Sequence, residues 1–230
     1  MATRGVRSIA AAGVVAVPAP LGPEIDRARR EARLTVLQAQ IHTCQKCVAA
    51  GYLTRAESVA GARGTLENRV LLVGQAPGHL SVEHGQPFSG PGGRVLDAWL
   101  TRAGFTAGAL RSRVFISAMT RCDPGKNPKG SGDRKPSPAE VALCRPYLLE
   151  ELELVRPAVI LPAGGMAIEA FLGPQRLETV IGQAFERNGA RILPLPHPSG
   201  VSRWLNAPEH QALLAQALGL LSAWRVELGL

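Results

Sequence analysis

The chain has four cysteines, Cys44, Cys47, Cys122 and Cys144, and the first two form a C-x2-C step. Four thiolates are what one tetrahedral metal site or one iron–sulfur cluster requires, and so sparse a set is not the disulfide framework of a small secreted domain. Three readings follow from spacing: unrelated buried thiols, a structural zinc, or an iron–sulfur cluster. A zinc ribbon places two close C-x2-C knuckles, whereas 21 residues containing a Pro/Gly/Lys loop and a helix start separate Cys122 from Cys144. That spacing favours the cluster. Either metal would tie the N-terminal helix to the middle of the chain and imply a reducing, cytoplasmic setting.

Three further segments carry groups able to do chemistry. Gly74-Gln75-Ala76-Pro77-Gly78 lets backbone approach a ligand closely and can aim N–H groups at an anion, but it matches neither G-x-G-x-x-G nor the P-loop. Phe88, in Gly85-Gln86-Pro87-Phe88, can stack on a flat ligand or fill core. His197, between Pro196 and Pro198, has a fixed backbone and can donate a hydrogen bond to negative charge developing on a leaving group. Ser199 and Gly200 offer a hydroxyl and N–H groups to a phosphate, and the following VSRWLN run, with Arg203, is fit to wedge into a duplex.

These segments need a frame. Apolar, β-branched runs at 70–74, 114–119, 158–163 and 190–195, each bounded by turn formers, predict four buried strands. Helical patterns at 23–42, 92–103, 137–155, 165–172 and 207–228 fall before, between and after them. Alternation of this kind implies a mainly parallel sheet with helices on both faces, a three-layer α/β/α arrangement, with ligands beyond the carboxyl ends of the strands. No linker or internal repeat divides the chain: a single domain is expected over 23–230, and residues 1–22, rich in Ala and Gly with two prolines, are expected to be a flexible tail.

Composition narrows the function. With 46% hydrophobic residues the chain can bury a core, and no apolar run approaches the roughly 18 residues of a membrane span. Lys and Arg outnumber Asp and Glu 26 to 18, a net charge of +8, which makes nucleic acid the leading partner. Only ten residues are aromatic, so stacking is expected to be local and not an extended single-strand platform. The stretch 123–135 (DPGKNPKGSGDRK) concentrates Lys126, Lys129, Arg134 and Lys135 in a loop suited to phosphates.

Taken in order, the G-x-A-P-G turn, the G-x-P-F segment, the C-x2-C, the Cys122/Cys144 pair flanking P-x-P-x-E, and HPS at 197–199 resemble the uracil-DNA glycosylase superfamily, most nearly its iron–sulfur families four and five. The resemblance runs from about residue 23 to 221. It implies a three-layer fold around a four-stranded, mainly parallel sheet, and an enzyme that flips uracil out of DNA and hydrolyses its N-glycosidic bond to leave an abasic site. By match to the motifs, Phe88 would stack on the flipped base and His197 would stabilise the departing uracil anion through O2. Gln75, Ala76, Pro77 and Gly78 would line the pocket, and Cys44, Cys47, Cys122 and Cys144 would ligate a structural [4Fe-4S] cluster.

Three positions depart from the pattern. Gln75 occupies a catalytic position where family four has a Glu that helps place the attacking water, and an amide cannot act as a base. The family-five carboxylate after the Phe falls at Pro91, and the uracil-reading Asn of family four falls at Ala118. Asn127 is the expected substitute reader, because an amide can pair with the O4 and N3–H edge of uracil. Glu83, His84 or Asp123 would have to supply a base, failing which the enzyme is slow. No His lies between Met119 and Cys144, so the covalent trapping seen in one subgroup is not expected.

The expectation is a monomeric, monofunctional base-excision glycosylase acting on uracil in single- or double-stranded DNA. Its rivals are a non-catalytic iron–sulfur protein that binds damaged DNA without cutting, which Gln75 and Ala118 favour, and a glycosylase for hypoxanthine or xanthine.

Overall fold

The computed structural model describes residues 7–8, 14–18, 27–59, 64–128, 132–199 and 203–230. Among them the strands are β1 (Arg7–Ser8), β2 (Val70–Gly74), β3 (Val114–Ala118), β4 (Val159–Pro162), β5 (Phe185–Arg187) and β6 (Ala190–Ile192). The helices are α1 (Arg27–His42), α2 (Lys46–Ala49), α3 (His79–Glu83), α4 (Pro91–Arg102), α5 (Ala109–Ser112), α6 (Pro138–Val155), α7 (Gly165–Leu172), α8 (Leu177–Val180) and α9 (Pro208–Leu228). One sheet runs in the order β1-β5-β6-β4-β2-β3, parallel at every junction except β5 with β6.

The four expected strands are the central parallel set. All five residues of β2 are buried, as a strand covered on both faces requires. Leu71, Val73, Phe115 and Ile160 pack on one face with Leu37, Leu148 and Phe171 of α1, α6 and α7. Val70, Leu72, Ile116 and Leu161 pack on the other with Leu96, Leu110 and Leu218 of α4, α5 and α9. Alternate residues thus feed two cores, which is the three-layer arrangement expected.

Two corrections concern the edge. The sheet has six strands, because Asn188 (φ 49°) and Gly189 (φ 79°) form a left-handed pair that turns β5 antiparallel onto β6. Asn-Gly is the strongest short hairpin signal a sequence carries. The described part of the 1–22 segment also belongs to the fold, since Arg7–Ser8 pairs with β5 and Val15 and Val17 are only 2% and 4% exposed. Apolar side chains at alternate positions have found a core to enter.

Helix α6 shows how local chemistry sets an element's start. Pro138 sits in the first turn, where its missing N–H costs nothing. Ser137 and Glu140 cap each other reciprocally, Glu140 accepting from the Ser137 N–H at 2.8 Å. No helix among the described residues is long and apolar enough to cross a membrane.

The order β6-β4-β2-β3 places β3 on one side of β2 and β4 on the other, so the chain reverses its direction of travel across the sheet between β2 and β4. Connections leave the two strand ends in opposite directions there, which opens a crevice beyond their carboxyl ends.

Candidate active site

At that crevice lies a cleft of about 700 Å³, and the glycines ending the two central strands shape it. Gly74 closes β2, and a Cβ there would stand 2.9 Å from the Phe88 ring. Gly164 follows β4, and a Cβ there would stand 2.8 Å from His197 Cδ2. Each glycine is bare so that one aromatic ring can lie directly on backbone, and the two rings line one cavity.

Phe88 is held under backbone strain. Its φ of 54° is left-handed, which costs a non-glycine residue of order 1–3 kcal/mol. Contacts made by Gly93, Arg111 and Ser89 impose it. A Cβ at Gly93 would be 1.8 Å from the Phe88 carbonyl oxygen, so only glycine lets the loop pass α4. The Arg111 guanidinium donates to the Pro87 and Phe88 carbonyls at 2.5 and 3.0 Å, and the Ser89 hydroxyl donates to the Gln86 carbonyl at 2.6 Å.

His197 is held by hydrogen bonds. The Ser199 backbone N–H donates to Nδ1 at 3.2 Å and the Ser199 hydroxyl lies 2.8 Å from the same nitrogen. A ring nitrogen that accepts from an N–H carries no proton, so the neutral ring has its hydrogen on Nε2. Burial, and then the nearby Lys135 charge, hold the imidazole below its ordinary pKa. At neutral pH His197 is therefore an uncharged donor through Nε2.

The floor continues the pairing of β2 with β3 past their ends: Met119 N–H donates to Gly74 at 2.9 Å and Thr120 N–H to Gln75 at 3.2 Å. Gln75, Ala76, Pro77 and Gly78 all line the cleft. Arg121 and Glu151, 2% and 1% exposed, pair at 2.6 Å beneath it, and Glu151 also accepts from the Ser117 hydroxyl at 2.6 Å. Thr120 is 4% exposed, lines the cleft, and its Oγ1 has no hydrogen-bond partner among the described residues.

Pro124, Lys126, Gly132, Asp133 and Lys135 form the outer wall. Lys126 and Asp133 face each other across an antiparallel bridge and pair at 2.9 Å, and both line the cleft with Lys135. Arg134 is not the free phosphate-binding cation expected: its guanidinium is bidentate on the buried Glu140, at 2.7 and 2.8 Å, and so fastens the loop to α6. Asn127 is exposed and lies outside the cleft lining, its N–H donating to Gly132 at 3.0 Å. Glu83, His84 and Asp123 are likewise outside the lining, the last accepting from the Gly125 N–H at 2.8 Å. Ser199 lies in the lining and Arg203 is exposed; Lys129 and Gly200 lie outside the described residues. Among the described residues lining the cleft Asp133 is the sole carboxylate. Sequence reasoning missed Thr120, Asp133 and Arg111.

The four cysteines are free thiols, three buried and Cys44 partly so. They occupy one neighbourhood of three separate segments. Burial, reinforced by Cys144 and the other thiols, pushes Cys122 up to about 12 and Cys47 to about 11. Arg134 opposes that rise at Cys47, Arg121 opposes it at Cys122, and Arg121 and Lys46 oppose it at Cys144, which also accepts a backbone hydrogen bond from Arg121. Cations and an N–H donor around buried sulfur fit a thiolate set carrying net negative charge. Among the described residues no group of three or more His, Cys, Asp or Glu side chains stands ready to hold a metal ion.

Comparison with known proteins agrees with this geometry. Residues 62–219 match the family model of the uracil DNA glycosylase superfamily. The chain is 29% identical over 177 residues to the Type-4 uracil-DNA glycosylase of Thermotoga maritima, covering 76% of this chain and 85% of that protein. It is 31% identical over 171 residues to the Type-4 uracil-DNA glycosylase of Archaeoglobus fulgidus, covering 70% and 79%. To the Type-5 uracil-DNA glycosylase of Pyrobaculum aerophilum it is 31% identical over 153 residues, covering 59% and 63%.

Proposed function

The chain belongs to the uracil-DNA glycosylase superfamily, and from that premise we propose that it excises uracil from DNA by hydrolysing the N-glycosidic bond. The observation that carries the reading is the pair of rings on Gly74 and Gly164, one able to stack on a base and one able to donate to it, across a single cleft at the sheet's switch point. Phe88 stacks on the flipped uracil. His197 donates from Nε2 to O2 as negative charge builds on the departing base, a contact worth more in the transition state than before it. A neutral donor suits this task, because it stabilises the anion without first having to bind a proton. Lys126 and Lys135 meet phosphates at the cleft mouth, and Ser199 serves both a phosphate and His197.

Thr120 takes the reading role assigned to Asn127. Its Oγ1 is a buried hydroxyl in the wall of the cleft with no partner among the described residues, and such a group is satisfied by a base edge that presents the complementary atom.

Cys44, Cys47, Cys122 and Cys144 would hold a [4Fe-4S] cluster, whose contribution when bound is to cross-link three segments of the fold. Anaerobically prepared protein is then brown, with four irons per chain. A colourless, zinc-loaded protein overturns that assignment.

The test of function is alkali-revealed cleavage of labelled oligonucleotides carrying one uracil, hypoxanthine or xanthine, single-stranded and duplex. Wild type is run beside His197→Ala and Phe88→Ala. Uracil release that both substitutions abolish establishes the enzyme and its pocket. Salt-sensitive binding with no release from any substrate establishes instead a reader of DNA.

A further inference from the structure

Hydrolysis at C1′ needs a group to orient water and take its proton, and neither motif position that supplies a carboxylate in the related families does so here: one is Gln75 and the other Pro91. The cleft nevertheless contains a carboxylate. Asp133 is the sole Asp or Glu among the described residues lining it, and it arrives from a part of the chain remote from both motifs.

Its position is set by the loop's own bonding. Lys126 and Asp133 form the antiparallel bridge, Asn127 N–H donates to Gly132 at 3.0 Å, and Arg134 N–H donates to Gly125 at 2.9 Å. The next side chain, Arg134, is locked on Glu140. The Asp133 backbone thus sits between a closed ladder and an anchored neighbour. One carboxylate oxygen, Oδ1, accepts from Lys126 Nζ at 2.9 Å. The other, Oδ2, lies over Gly78, the last residue of the G-x-A-P-G turn, 2.6 Å from where a Cβ would stand. A carboxylate from the loop therefore reaches the same turn from which Gln75 projects, with one oxygen neutralised by a cation and the other directed to the turn.

Resting on the glycosylase reading above, we propose that Asp133 is the catalytic base of this chain, replacing the missing motif carboxylate from the opposite wall. In the step assigned to it, the water oxygen bonds to C1′ and the C1′–N1 bond breaks. The bonding pair leaves on the uracil, whose O2 accepts from His197 Nε2–H, and the water's second bonding pair is freed as its proton passes to Asp133 Oδ2. The products are an abasic site, a uracil anion and a protonated carboxyl group that returns its proton to solvent. While ionised, Asp133 also places negative charge on the side of the sugar where positive charge develops.

The experiment is single-turnover uracil release by wild type, Asp133→Asn and Asp133→Ala, with binding to an uncleavable abasic-site analogue measured alongside. Asparagine keeps an oxygen for Lys126 and so preserves the bridge while removing the base. The expected results are a fall of about 10²–10⁴-fold in rate for Asp133→Asn, analogue affinity within threefold of wild type, and partial recovery of Asp133→Ala by added formate but not by chloride at equal ionic strength. An Asp133→Asn rate within threefold of an active wild type overturns the assignment and leaves the glycosylase reading standing. So does an Asp133→Ala defect that formate leaves unchanged while analogue binding falls in parallel, because the residue would then be holding the loop. A wild type that releases no uracil brings down both.

Discussion

The two walls of the cleft are built on different principles. The inner wall is steric: Phe88 and His197 lie on glycines at strand ends, and the glycines could not be anything else without moving a ring. The outer wall is electrostatic: the described residues of the 123–135 segment are held by Lys126 with Asp133 and Arg134 with Glu140, in a sequence that also carries Asp123, Lys129 and Lys135 among Gly, Pro, Ser and Asn. Position is therefore set by close contact where the base would be bound, and by charge where DNA would arrive. The site thus divides its tasks, since a rigid pocket suits selective chemistry and a charged loop suits a ligand whose backbone is itself charged.

The largest test of the steric wall is Gly164→Ala. The new Cβ would overlap His197, and φ at this position is +89°, where a side chain is strained. Displacing the donor by an ångström should reduce uracil release about 100-fold while oligonucleotide binding persists. Unchanged turnover would show that the ring does not need its seat.

For the electrostatic wall the corresponding change is Arg134→Ala. Glu140, 4% exposed, is held at about 2 chiefly by the Arg134 hydrogen bonds, helped by Ser137 against the opposing effect of burial. A carboxyl group whose pKa is lowered by folding adds stability that is complete above its ordinary value near 4.5 and is lost as pH falls towards 2. Removing Arg134 should cost about 3–5 kcal/mol in urea unfolding at pH 7 and flatten the dependence of stability on pH between those limits. A pH profile identical to wild type would mean that the capping box alone holds the carboxylate.

Arg111→Ala probes the steric wall more gently. Without its two hydrogen bonds the strained Phe88 backbone can relax, and kcat should fall about tenfold with little change in Tm. A fall in Tm with kcat intact would assign Arg111 to stability.

The smallest effect joins the walls. Lys135, on the loop, acts with burial to keep His197 neutral. In Lys135→Gln the imidazolium is penalised less, so its pKa rises, and the acid limb of the rate–pH profile should move to higher pH while the plateau at neutral pH changes little. A limb that stays in place would show that burial alone sets the ring's charge.

What the sequence disclosed follows the same division. The strand ends, the G-x-A-P-G turn, Phe88 and His197 are legible because glycine and proline mark backbone geometry locally, and the ordered motifs place them together. Asn188-Gly189 was equally local, and its hairpin was readable from the pair alone. Arg134, Asp133 and Thr120 were not legible in this way. Their roles depend on what stands opposite them in space, and a loop's charges look alike in a sequence whether they meet phosphate, a buried Glu140 or the turn at Gly78. The Asn127 expectation had the same weakness, for it assigned a base-reading task by residue type without knowing which way the loop faces.

Helix α6 carries a further consequence. Glu140, Cys144, Tyr147 and Glu151 are all buried and spaced four, three and four apart, so they form one stripe along its face. One end of the stripe anchors the loop, the middle bears a sulfur, and the far end clamps Arg121 under the cleft. The helix works as a ruler. Inserting or deleting one residue between 140 and 151 would swing everything beyond it by about 100° and put two of these fittings out of alignment at once.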